Sequence, residues 1–118
     1  MRVTILRLLV FLFFANIAIL AEPTAGEKLF SLHIKPLFAE KCMACHGDDP
    51  KKIKSDFDMR TRKSMLQGGE IFEDEVLIPG QGAKSYLYIL STRVEEDLEM
   101  PPKESDKLTD KETGWIRE

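Results

Sequence analysis

Cys42-Met43-Ala44-Cys45-His46 is the stretch on which the reading of this 118-residue chain turns. Two thiols three positions apart at the end of a helix can add to the two vinyl groups of one porphyrin. The adjoining histidine then reaches the iron from the same side. These are the only two cysteines, and a bridge between them would close a tiny loop, so no disulfide framework is available. A structural zinc site would need four ligands, whereas the chain supplies these two cysteines, His46 and His33 without the spacing of a second knuckle. A thioredoxin-like pair would sit between a strand and a helix, and no strand is legible in the flanking residues. The expectation is one covalently attached haem c, bonded to Cys42 and Cys45, with His46 as an axial ligand of its iron.

Upstream, Glu27 to Lys41 places Phe30, Ile34, Leu37, Phe38 and Cys42 on one apolar helical face. Pro36 lies inside that pattern, lacks an amide hydrogen and clashes with the preceding turn, so the helix is expected to kink there or to begin late. Further back, Arg2 and Arg7 precede the apolar stretch Leu8 to Phe14, and small and apolar residues follow to Ala21. This is the layout of a secretory signal peptide, residues 1–21, too short and interrupted by Asn16 to span a membrane. No cysteine follows it to carry a lipid, so the mature chain is expected to be exported, periplasmic or otherwise extracytoplasmic, with no stable membrane span. With Arg2 and Arg7 gone from the 17 basic residues, 15 face 20 acidic ones, a formal charge of −5 that makes nucleic acid an unsuitable partner. Residues 22–118 then form one small domain.

Downstream, the iron needs a second ligand or an open position, and a methionine thioether is the usual partner of histidine in electron-transfer cytochromes. Met43 is held inside the attachment loop on the wrong side. Met59 and Met65 lie 13 and 19 residues past His46, too few to round a porphyrin edge. Met100, 54 residues on and stiffened by Pro101 and Pro102, has enough chain behind it and is the expected ligand. Thr61 to Gln67 reads as a short helix closed by Gly68 in a left-handed turn. Ser85 to Ser91 reads as another, with Tyr86, Leu87 and Leu90 facing inward. Val76-Leu77-Ile78-Pro79-Gly80 is an apolar run, expected at the haem edge and ended by a turn. Thr109 with Glu112 makes a capping-box start for a last helix. Glu95-Glu96-Asp97 with Glu99 reads as a solvated loop, Pro50 to Lys54 as a charged surface loop, His33 as a solvent-facing residue, and Arg60 as either a propionate partner or a plain surface arginine.

Taken in order, these pieces resemble the planctomycete-type cytochrome c domain. They are Lys35-Pro36-Leu37 before Cys42-Met43-Ala44-Cys45-His46-Gly47, then Phe57-Asp58-Met59-Arg60, Leu66-Gln67-Gly68-Gly69, Ile78-Pro79-Gly80, Ser85-Tyr86-Leu87 and Asp97-Leu98-Glu99-Met100-Pro101-Pro102. The resemblance implies that Cys42 and Cys45 hold the haem and that His46 and Met100 are its axial ligands. Where the family shows small residues, often glycines, this chain has Lys54-Ser55. Aligned without gaps, the family's closing Trp-Ile pair falls just past Glu118. The last helix is therefore expected to be truncated and the chain to be the amino-terminal portion of a longer protein with further domains. Trp115-Ile116 is that pair only if about a turn is deleted.

The fold expected is all-α, a small cytochrome c-like helical bundle around one covalent haem, with long loops. The function expected is electron transfer with redox partner proteins by iron held between His46 and Met100, and no catalytic residue. The alternative is a haem enzyme or sensor with an open sixth position, and Met100 discriminates the two.

Overall fold

A computed structural model of the chain describes residues 21–118, so the expected leader lies outside the described residues except for Ala21. The described residues are helical with no β-strand, apart from an isolated antiparallel bridge between Gly69 and Glu73. The all-α expectation holds.

The first helix is longer than its apolar pattern implied. Thr24 caps α1, Ala25–Leu29, its Oγ1 accepting from the Glu27 amide at 3.2 Å while the Glu27 carboxylate accepts from the Thr24 amide at 2.7 Å. Thr24-x-x-Glu27 is the same capping box that marks Thr109 and Glu112, and it starts the helix before Glu27. The chain then passes through a π-helical turn, Phe30–Ile34, into α2, Lys35–Lys41. Pro36 stands in the first turn of α2, and the regular α-helix is interrupted just before it: the turn widens, with the Lys35 amide donating to the Phe30 carbonyl five residues back. One residue inserted in this way rotates everything before it out of α-helical register. Ile34, Leu37 and Phe38 are buried as expected, but Phe30 is 50% exposed and Leu29 packs on the core in its place.

Cys42 connects α2 to α3, Met43–His46. The Pro50 to Lys54 stretch runs over the surface into a 3₁₀ turn at Lys54–Asp56, in which Ser55 and Asp56 have φ of 51° and 53°. That left-handed backbone explains why small residues suit this place: only glycine adopts it freely. Thr61 caps α4, Arg62–Gln67, and Gly68 ends it at positive φ. The helix α5, Tyr86–Ser91, starts one residue later than expected. Its first amides are satisfied from outside, Tyr86 donating to the Glu75 carbonyl and Leu87 to that of Val76. Ser85, 2% exposed, accepts from the Ile78 amide at 2.9 Å through its hydroxyl. The apolar run is thereby tied to the start of α5. Thr109 caps α6, Asp110–Arg117, with the expected capping box, and α6 packs against α5 and the π-helical turn. Trp115 stacks on His33, ring centroids 4.3 Å apart, so His33 is exposed yet not idle in packing.

Candidate functional site

The Cys42–His46 segment, the 69–76 loop, α5, the 97–102 segment and Ile116 of α6 enclose a cavity of about 430 Å³. That is the size range of small-molecule and cofactor sites, about 300–1,000 Å³. Its apolar wall includes Phe57, Phe72, Val76, Leu87, Leu90 and Leu108. Cys42, Cys45, His46 and Met100, the four residues singled out in the sequence, all line it. Tyr86, Leu87 and Leu90 do face inward, and Tyr86 stacks on Phe72 with centroids 3.7 Å apart. Of the Val76 to Gly80 run, Val76 alone reaches the wall.

The motif is wound tightly. The amides of Cys45 and His46 both donate to the Cys42 carbonyl, at 3.1 and 3.0 Å, which turns both sulfur-bearing residues and the imidazole toward one space. Neither cysteine is in a disulfide; Cys42 is half-buried and Cys45 exposed. Burial, and then the neighbouring Cys45, push the Cys42 thiol up to about 11, so it is protonated at neutral pH. His46 Nδ1 lies 3.0 Å from the Phe57 carbonyl oxygen. A carbonyl can only accept, so Nδ1 carries the proton and the Nε2 lone pair is left free. Burial lowers the pKa of the ring and so favours the neutral imidazole, opposed by its hydrogen bonds to the backbone of Phe57 and Lys54.

These residues fit a c-type haem. Two unpaired thiols, an imidazole with its tautomer set for a metal, and a thioether share an apolar cavity, the donor set that such a group uses. Met59 also reaches the wall, but its amide donates to the His46 carbonyl at 2.8 Å, which holds it beside the histidine. Met65 is buried in the core and does not line the cavity. Arg60 forms a forked pair with Asp58 at 2.7 and 2.9 Å and does not line the cavity. Glu95 and Glu96 are exposed, as a solvated loop should be, while Asp97 stands at the cavity. Among the described residues no three histidine, cysteine or acidic side chains gather as a metal site.

Sequence reasoning missed two partners. The Phe57 carbonyl orients His46, and the only pointer to it was its place in the ordered motif set. Arg93 donates to the Pro101 carbonyl from seven residues before Met100, and no sequence pattern marks it.

No curated protein and no solved structure matches the chain significantly. A family model described as Planctomycete cytochrome C matches residues 42–104, a span that opens on Cys42 and contains Cys45, His46 and Met100. With just over half of its length matched, the chain belongs to the planctomycete cytochrome c family, whose domains carry covalently attached haem c.

Proposed function

We propose that residues 22–118 form a single exported domain that carries one haem c and transfers single electrons between redox partner proteins outside the cytoplasm. Cys42 and Cys45 hold the haem through thioethers, and His46 and Met100 are the axial ligands of its iron. When bound, the haem supplies an iron that cycles between two oxidation states. The chain's own residues attach it, fix its orientation and shut water out. The Phe57 carbonyl keeps His46 in the tautomer that presents Nε2, and the Tyr86–Phe72 stack and the residues of α5 wall off the cavity. The observation that carries this reading is the convergence of both free thiols, the His46 imidazole and the Met100 thioether on one apolar cavity. A thioether partner raises the reduction potential and fills the position that a substrate would need.

The test is an absorption spectrum of the oxidised protein, matured in an exporting, haem-attaching host. A weak near-infrared sulfur-to-iron band that disappears in Met100→Ala is the expected result. Covalent haem without that band would refute His/Met ligation and transfer the assignment to an open-site haem enzyme or sensor.

A further inference from the structure

We propose that Arg93 is a positioning residue for Met100, clamping the loop that presents the sulfur to the cavity. The inference rests on the reading of Met100 as an iron ligand. Pro101 and Pro102 have no amide hydrogens, so the chain after Met100 cannot tie itself down with its own donors. Arg93 supplies an outside donor to the first carbonyl after Met100, that of Pro101. Its Nη1 donates to the Pro101 carbonyl at 2.6 Å, and its Nη2 pairs with Glu104 at 3.1 Å. On the other side of Met100, the Met100 amide donates to the Leu90 carbonyl at 3.0 Å, and the Arg93 amide donates to the same carbonyl at 3.1 Å. The end of α5 therefore grips both flanks of Met100, the amide side through Leu90 and the carbonyl side through Arg93.

The two bonds of the guanidinium are unequal in setting. The Arg93 side chain is 13% exposed, whereas that of Glu104 is 75% exposed. The shielded, charge-assisted bond to Pro101 is the strong one, and the carboxylate lies out in solvent where ion pairs contribute little. Arg93 also has a φ of 62°, a left-handed backbone seldom seen for a non-glycine residue and one that the packed turn after α5 maintains.

The test uses the full, haem-loaded chain in the oxidised state, titrated with imidazole while the near-infrared sulfur-to-iron band is followed. Imidazole binds only where Met100 has left the iron, so its apparent affinity reads the fraction of molecules with the loop released. Arg93→Gln is expected to raise that affinity about tenfold or more, the scale of a hydrogen bond to a charged group. Arg93→Lys keeps the charge but has no fork to span two acceptors, so it is expected to fall between the parent and Arg93→Gln. It also carries the test if Arg93→Gln does not fold. Glu104→Gln is expected to stay within about threefold of the parent. Leu37→Ala, which removes a buried side chain outside both the cavity wall and the cluster packed behind it, is the control for general destabilisation and should leave imidazole affinity unchanged. An affinity within twofold of the parent in both Arg93 variants would overturn the inference, as would an equal rise in Leu37→Ala. A parent protein with no sulfur band would overturn the ligand reading itself, which separates the two failures.

Discussion

Gly68 ends α4 at φ 75° and ψ −152°, a region essentially reserved for glycine, and its replacement by alanine should be among the most damaging single-methyl changes in the chain. An added Cβ would overlap the backbone carbonyl of Glu73 and come within 3.0 Å of the Asp74 amide nitrogen. Backbone cannot rotate aside as a side chain can, so the 69–76 loop would have to open. Adopting this conformation with a Cβ costs about 1–3 kcal/mol. Opening the loop strains the Glu70 amide bond to Ser55, at 2.8 Å, and that of Glu73 to Gly69, at 3.1 Å, each contributing about 0.5–1.5 kcal/mol. The expected loss is about 2–6 kcal/mol, a large share of the roughly 5–15 kcal/mol that holds a domain folded. The same loop carries Ile71, Phe72 and Val76 of the cavity wall, so haem retention should fall with stability. Gly80 is the comparison, since it shares φ 75° but has no atom within 4 Å of an added Cβ; Gly80→Ala should cost only about 1–2 kcal/mol. Urea unfolding of the haem-loaded proteins, followed by far-ultraviolet circular dichroism, measures both. A Gly68→Ala loss below about 1 kcal/mol, or one no larger than that of Gly80→Ala, would refute the close-approach argument.

Three further outcomes are expected. Met65→Ala should cost about 2–5 kcal/mol in the same unfolding assay, as for a buried methionine, with the visible spectrum of the haem unchanged; an altered spectrum would mean that Met65 reaches the cavity. Ser55→Gly should stabilise by about 0.5–1 kcal/mol, because relief of about 1–2 kcal/mol at φ 51° outweighs the added freedom of the unfolded chain; destabilisation by that amount would contradict the strain. The Asp58 carboxyl is held down at about 2, below its ordinary 3.8, first by the side-chain hydrogen bonds of Arg60 and then by the Arg60 amide. A folded pKa that is lowered contributes stability present above the unfolded value and lost as pH falls from about 4 toward 2. Nuclear magnetic resonance titration of Asp58 should find its midpoint near 2, and a midpoint near 3.8 would show the fork with Arg60 to be open in solution.

What could be read without coordinates was whatever depends on residues a few positions apart. The thiol pair with its histidine, the Thr109–Glu112 and Thr61 helix starts, and the stop at Gly68 are local chemistry, set by hydrogen bonds that reach three or four residues. The inward face of α5 was legible for the same reason, since helical periodicity is local. Thr24 with Glu27 is an equally local signal, lying at the edge of an apolar pattern that begins only at Phe30. The choice of Leu29 over Phe30 for the core was decided only in three dimensions: the chain widens into a π-helical turn before Pro36, and one inserted residue turns the helix face. The His33–Trp115 stack and the Tyr86–Phe72 stack join parts of the chain that no periodicity connects. Sequence alone determined which groups could hold an iron porphyrin, because that is a matter of chemical type and spacing. Tertiary structure decided how they are held, with the Phe57 carbonyl on His46 and the Arg93 guanidinium on the Pro101 carbonyl, because an acceptor in the backbone looks the same at every residue until the fold brings a donor to it.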